Sequence, residues 1–575
     1  MKKITISILL STTLFTAFSF VQAEGLISGL FSSKEGASFK QMLSYVPADT
    51  SFLFANKKPM PEEVVEFQLQ RAKTMLDMVS KTSQDLNIVA GADKKTTKAK
   101  LNKSDNFFEA LFTDLSDKLS NKKFAETGLS TQANNVIYGL ETAPVMRLGI
   151  ADKEAILATL KRAATKSDYP LELSKCGETD CFINKDKASD LTFAAVLIKD
   201  HIALSAFPSE KKETIINHLI GKSSPEKTYS EEDWDSFLAK NKYSGFGDGY
   251  LNLQSLFKKL RPLIIEGVNQ TSGKKLDEKS VDACLNVAKE HLDNLPELLL
   301  GTKNLEKENI DYELVFKTSP LVSTVLQTIA NKSNIDKRTE DAIMDMGINI
   351  NFASLSKALT QYSSFLADSA EKNKCKEIDP LKIRKTMGGM MMAMNMGLTQ
   401  FKSLYLSVNE VELDEKMQPK KVDAYLSVGS DNPASLVSML AMLNPGFAKL
   451  KVPTDGKAIT IPKELIPTKG TPIPPVSLSQ SDKTLNVMIG NEKPKLVDYK
   501  AKKPEIMSFS IDGKRYYEKV AKIMEAMPAY NSKKVAKEQQ DSVALFKSIG
   551  AMSGKFKEEI SADDRGLIID YHIKY

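Results

Sequence analysis

The 575-residue chain has little of what marks the common function classes. It has four histidines, His201, His218, His291 and His572, and no two stand at His-Glu-x-x-His or His-x3-His spacing, so a zincin-type metal site is excluded. No Gly-x-Ser-x-Gly nucleophile elbow occurs. Gly267–Lys274 resembles a phosphate loop, but its glycines are one residue too far apart and no Ser or Thr follows the Lys. A single Trp, Trp234, speaks against a cleft that stacks sugars. Basic and acidic residues nearly balance, 79 against 73, so the chain lacks the footprint of a nucleic-acid binder. Beyond the first 20 residues no apolar run reaches the ~18 of a spanning helix. At 42% hydrophobic and 26% charged residues, the chain reads as globular, with a length that fits about two to four domains.

The address is the clearest positive signal. Met1-Lys2-Lys3 supplies positive charge, Ile4–Phe20 an apolar run, and Val21-Gln22-Ala23 the small residues of a signal-peptidase site. Residues 1–23 are therefore expected to be a cleaved signal peptide, and no Cys lies nearby for a lipid anchor. The expected location is the periplasm, with secretion or outer-membrane association as alternatives. Four cysteines in an exported chain favour disulfides. Cys176 and Cys181 bracket a turn-forming Gly177-Glu178-Thr179-Asp180, and Cys284 with Cys375 closes a longer loop. The rival, a metal on Cys-x4-Cys, lacks a second cysteine pair or a histidine cluster nearby.

The organisation suggests an α+β protein of two similar, duplicated domains, 24–320 and 321–575, each a largely antiparallel sheet with helices packed on one face. Strand Val145–Ala151, a helix after Asp152, strands around the Cys176–Cys181 turn and a hairpin over Phe193–Phe207 have counterparts. These are strand Val422–Val428, a helix after Asn432-Pro433, strands Ala448–Val452 and Ala458–Ile461, and a hairpin over Val476–Ile489. Phe52–Asn56 answers to Ile348–Phe352, Gly249–Leu253 to Met507–Ile511, and Asp311–Lys317 to Ile568–Tyr575. A helix with an apolar stripe from Val65 to Val79 follows Pro59-Met60-Pro61. Pro462–Pro475 reads as an extended strap.

The segment Tyr45-Val46-Pro47-Ala48-Asp49-Thr50, leading into Phe52–Asn56, resembles the opening strand of exported Gram-negative envelope proteins of unknown function. The Cys284 helix followed by Leu295-Pro296-Glu297-Leu298 is similar to the same group. The resemblance implies an envelope location and a two-lobed α+β fold, and it brings no catalytic residues.

Candidate chemistry is sparse. Ser-x-x-Lys occurs at Ser209/Lys212, Ser272/Lys275 and Ser354/Lys357, without the Lys-Thr-Gly or Ser-Asp-Asn partners of a Ser/Lys hydrolase. Met387, Met390, Met391, Met392, Met394 and Met396 crowd ten residues and suit an adaptable partner surface, a Cu(I) site or core packing. Lysines 94, 95, 98, 100 and 103 form a basic loop, solvated or facing anionic lipid. The alternating Ile569, Tyr571, Ile573 and Tyr575 read as the last strand of a soluble sheet. The sequence points to a non-catalytic envelope protein that binds or scaffolds a protein or lipid-like ligand, with no cofactor. The alternative is a periplasmic hydrolase using carboxylates or a Ser/Lys pair.

Overall fold

The computed structural model describes residues 38–575 apart from 60, 62, 65–66, 68–109, 112–113, 116, 119–123, 130–133, 168–171, 187–190, 272–277, 332, 334, 396–399, 415–417, 467–473, 491–493, 501–502 and 527–532. The expected signal peptide over 1–23, most of the stripe from Val65, the basic loop at 94–103 and the middle of the Pro462–Pro475 strap lie outside the described residues. The chain divides into two units, residues 1–285 with 296–312 and residues 286–295 with 313–575. A single cut at 320/321 therefore does not describe the boundary, because 286–295 is assigned to the second unit before the chain returns to the first.

The first unit carries β1 (Phe52–Asn56), β2 (Asn135–Leu140), β3 (Ala143–Gly149), β4 (Glu172–Cys176), β5 (Thr179–Asp186), β6 (Leu191–Leu197), β7 (His201–Pro208), β8 (Asp248–Asn252) and β9 (Glu297–Leu305). They form one antiparallel sheet in the order β4-β5-β6-β7-β3-β2-β1-β8-β9. Its helices are α1 (Phe39–Leu43), α2 (Lys153–Ser167), α3 (Lys212–Leu219), α4 (Glu231–Asn241) and α5 (Leu253–Thr271). The change of unit falls inside α6 (Glu278–Asn294) and again inside β10 (Asn309–Lys317).

The second unit holds β11 (Lys337–Thr339), β12 (Met344–Ile348), β13 (Phe401–Leu413), β14 (Pro419–Ser430), β15 (Ile459–Thr460), β16 (Val476–Gln480), β17 (Thr484–Ile489), β18 (Leu496–Asp498), β19 (Glu505–Asp512), β20 (Lys555–Asp563) and β21 (Gly566–Lys574). Its antiparallel sheet runs β15-β16-β17-β14-β13-β12-β19-β20-β21, and β11 with β18 makes a separate two-stranded ribbon. The helices are α7 (Pro320–Ile329), α8 (Phe352–Asn373), α9 (Pro380–Asn395), α10 (Pro433–Leu443), α11 (Gly513–Ala526) and α12 (Lys533–Met552). The class is α+β with large antiparallel sheets, as expected.

Packing follows the period-two alternation of strands. In the first unit Leu148, Ile202, Leu197, Ala195 and Phe182 share one face, and α2 sets Ile156, Leu160 and Ala163 against them. Helices lie on both faces here, not on one. The opposite face carries Val136, Val145, Ala194, Val196 and Ala203, all buried, and this apolar area receives α3, whose Ile215, Ile216 and Leu219 need cover of their own. In the second unit α10 places Leu436, Val437 and Leu440 against Leu478, Leu485, Val428 and Val487. Ala448–Val452 is not a strand: Pro445-Gly446 opens a 3-10 turn over Pro445–Lys449, held by Asn444 Oδ1 accepting from the Gly446 N–H. The strand expected over Ile348–Phe352 is instead Met344–Ile348 and stops before Phe352, because Asn351 caps α8 through the Ser354 N–H.

Cys176 and Cys181 are disulfide-bonded with Cα atoms 5.8 Å apart. Cys284 and Cys375 are also disulfide-bonded, and none of the four is free. The Cys176–Cys181 bridge joins β4 to β5 across a turn where Gly177 adopts φ +65°, a conformation open to glycine. Replacing both cysteines with Ser should lower stability by about 2 kcal/mol, the chain-entropy value for so short a loop. Denaturant titration reads this as a lower midpoint with an unchanged far-UV spectrum.

Candidate functional site

Three places in the structure concentrate chemistry. The first is the methionine helix α9. It packs on α8 through Met391, whose sulfur accepts from Ser356 Oγ at 3.0 Å, and through Arg384, which donates to Glu371 (3.0 Å) and Asp368 (2.7 Å). Met391 is buried, whereas Leu381, Met390 and Met392 are 74%, 50% and 68% exposed. Met387 is half-buried, and the Met394 side chain and Met396 lie outside the described residues. Positions 390 and 392 stand about 200° apart around a helix, so these two thioethers flank the outer face and do not converge on one ion. Gly389 stands between them and Gly388 beside it, and both leave bare backbone, since a Cβ at either would meet nothing within 4 Å. Lys382, Lys385, Asp368, Glu371 and Glu377 are exposed in this helix pair and its connection, giving charge of both signs.

The second place is a buried cation in the first unit. Arg147 on β3 is fully buried. Its Nε donates to Tyr138 Oη (3.2 Å), one Nη to His201 Nε2 (2.9 Å), and the other to the His218 and Leu219 carbonyls (3.2 and 3.3 Å). The Tyr45 ring lies 3.6 Å from the guanidinium carbon. Because a guanidinium only donates, the protons around it are assigned by its presence. His201 must accept at Nε2, so its Nδ1 proton goes to Asp200 Oδ1 at 2.7 Å. Tyr138 accepts from Arg147 and so donates to His218 Nε2 at 2.9 Å. Burial, then the Arg147 charge, lowers both imidazoles from the ordinary 6.5 to about 4.

Elsewhere in the same unit, Asp248 is buried and accepts backbone N–H bonds from Gly245 (2.6 Å) and Thr302 (2.7 Å). Burial outweighs these donors and pushes its carboxyl up to about 7.

The third place is one whole face of the second unit's sheet. Register aligns two cross-strand rows. One runs Ser479, Asn486, Ser427, Tyr405, Gly347, Ser508, Glu559, Asp570, and the other Met488, Tyr425, Ser407, Asp345, Ser510, Lys557, His572. The reverse face reads Leu478, Val487, Leu426, Leu406, Met346, Phe509 in the same direction. Over the polar rows lies the β11–β18 ribbon, from which Arg338 donates to Ser508 Oγ (3.2 Å) and approaches Glu505 (3.5 Å). Its guanidinium covers the rings of Tyr499 (3.5 Å) and Tyr405 (5.2 Å). Gly347 admits this approach, since a Cβ there would stand 2.6 Å from Ser508 Oγ and 3.0 Å from an Arg338 nitrogen. Tyr499 Oη donates to Glu505 (2.5 Å), Ser510 donates to Asp345, and burial raises the Asp345 carboxyl.

Among the described residues the Ser/Lys candidates do not form sites. Ser209 bonds Thr192 (2.8 Å), Ser272 and Lys275 lie outside the described residues, and Ser354 belongs to the α8 cap while Lys357 points to solvent. His291 packs against Tyr362 and Phe365, and His572 approaches Glu559 at 3.4 Å. Among the described residues no group of three or more His, Cys, Asp or Glu side chains is placed to hold a metal ion, and no helix is long and apolar enough to cross a membrane. The buried polar rows were missed in the sequence reading. Their signal is the alternation of Ser403, Tyr405, Ser407 and of Asp423, Tyr425, Ser427 between apolar residues.

The imidazoles generate a pH prediction. With folded values near 4 against an unfolded 6.5, each neutral histidine contributes stability that is complete above pH 6.5 and lost as pH falls towards 4. Each accounts for on the order of 3 kcal/mol. Asp248 acts in the opposite direction, so comparison with a variant isolates the effect. His201→Gln keeps an acceptor for Arg147 without titrating, and denaturation between pH 7 and 4 should show a shallower loss than wild type.

Comparison of the chain with protein-family models, with curated proteins and with solved structures finds no match to any of them.

Proposed function

We propose that the chain is an exported, periplasmic protein of the cell envelope that binds a protein partner through the outer face of α9 and catalyses no reaction. The observation that carries this reading is the exposure of Leu381, Met390 and Met392 along α9, with bare glycine backbone beside the two methionines. Large apolar side chains grouped on a surface mark interaction sites, and methionine adapts its shape to a partner. The surrounding charges are of both signs, which suits the polar rim of a protein interface better than an anionic lipid surface. The disulfide-bonded cysteines and the leader-like residues 1–23 support an oxidising, exported setting.

The two units are, on this reading, copies of one ancestral domain. Seven strands follow the same walk, β6-β7-β3-β2-β1-β8-β9 against β16-β17-β14-β13-β12-β19-β20. Helix α2 between β3 and β4 corresponds to α10 between β14 and β15, and the pair α5–α6 before β9 to α11–α12 before β20.

A photo-crosslinking residue at position 390 or 392, introduced in the native envelope, should trap one defined protein, and the same residue at Lys457 should not. With the cross-linker at 390, Leu381→Glu with Met392→Glu should abolish the adduct and leave the melting temperature unchanged. Cross-linking to lipid alone, or an adduct indifferent to the double substitution, would sink the proposal.

A further inference from the structure

We propose that the cluster around Arg147 is a pH-operated latch: neutral His201 and His218 hold α3 on the first unit's sheet, and their protonation releases it. The latch is separate from the α9 surface and does not depend on it.

The hydrogen bonds themselves require neutral rings. His201 Nε2 accepts from an Arg147 Nη at 2.9 Å, so a proton added there would set two N–H groups against each other. His218 Nε2 accepts from Tyr138 Oη at 2.9 Å. A proton added there would deprive the Tyr138 hydroxyl, which already accepts from Arg147, of the acceptor for its own hydrogen. Four elements face the two rings. Arg147 comes from β3 and Tyr138 from β2. Tyr45, after α1, sets its ring 5.7 Å from His201 and its backbone against His218. Asp200 precedes His201 between β6 and β7, and among the described residues it is the one carboxylate bonded to either ring. Acid would thus gather three cations around one carboxylate, and Arg147, His201 and His218 are all buried.

Relief falls on α3 because of what each group is attached to. Arg147, Tyr138 and His201 stand on strands tied into the sheet by continuous ladders. His218 and the two carbonyls that Arg147 bonds are at the end of α3. That helix is eight residues long. It follows Pro208 and the 3-10 turn Ser209–Lys211, and it gives way to Gly221 at φ +74°. It can therefore leave without breaking a strand pairing. Its Ile215, Ile216 and Leu219 bind by apolar contact, which pH does not change, so the Arg147 cluster supplies the pH-dependent part of the docking. Release admits water to the guanidinium and both rings, and it uncovers Ala194, Val196 and Ala203, all buried when α3 is docked. Burial first, and then the Arg147 charge, lowers both docked imidazoles to about 4 from the ordinary 6.5. The docked values lie below the released ones, so docking is strongest above pH 6.5 and is lost as pH falls towards 4.

Hydrogen exchange of the full disulfide-bonded chain between pH 7 and 4, corrected for the intrinsic pH dependence of amide exchange, tests the latch. At pH 5 the protection of amides 216–220 should be roughly a hundredfold or more below its value at pH 7, while the strand amides of β6 and β7 keep theirs. His201→Gln preserves an acceptor for Arg147 without titrating, and should make that loss about tenfold smaller. Asp200→Asn still accepts from His201 Nδ1 but removes the charge that favours the imidazolium, so release should move to lower pH. Asp200 is partly exposed, and its variant carries the test should His201→Gln fold poorly. Equal protection of 216–220 at pH 7 and 5 overturns the proposal. So does a loss shared by β6 and β7, which marks unfolding of the whole unit, or a loss left unchanged by the variants that fold.

Discussion

Every strand of a nine-stranded antiparallel sheet sends alternate side chains to opposite sides, so the sheet has two faces and each must meet something. The rest of this protein depends on how the two units answer that demand. Both give one face to helices, and the core clusters around Phe182 and around Leu478 are built there. They differ on the other face. The first unit fills it with apolar residues, a docked helix and one fully buried arginine. The second keeps it polar, covers it with a short ribbon, and leaves several hydroxyl and amide atoms without partners.

The buried arginines show the same contrast. Arg147 spends its donors on a phenol, an imidazole and two carbonyls, with a ring beneath it and no carboxylate in direct contact. Such an ion is tolerable in the interior because each guanidinium nitrogen has a partner, and its neighbours are held in one protonation state as a result. Arg338 has a carboxylate nearby and two tyrosine rings, yet its Nε remains unpaired. One arrangement is closed and structural. The other has bonding capacity left over.

Much of the fold was legible because alternation and turn chemistry are local. The hairpin turning at Lys199-Asp200, the Cys176–Cys181 hairpin and the closing strand at Ile568–Tyr575 all follow from side-chain period and turn residues within a few positions. Strand Phe401–Leu413 and strand Asn135–Leu140 were not recognised, since Ser and Tyr at alternate positions, or a short run ending in Gly139-Leu140, resemble loops by composition. The site was less legible still. Ser407, Asp345 and Ser510 lie far apart in the chain and become neighbours only when register is known, so no spacing rule reaches them. Trp234 could be named in the sequence, but not its burial in the first unit among Phe39, Tyr229 and Phe237.

The path of the chain between the units constrains where it can be cut. Residues 286–295 belong to the second unit, and 296–312 return to the first to supply β9. A chain ended at 285 loses that edge strand. One ended at 312 keeps Glu290 and His291 but parts them from Ser369, Lys372, Tyr362 and Phe365. No single cut in the chain separates the units, so a truncation at either crossing takes residues from one of them.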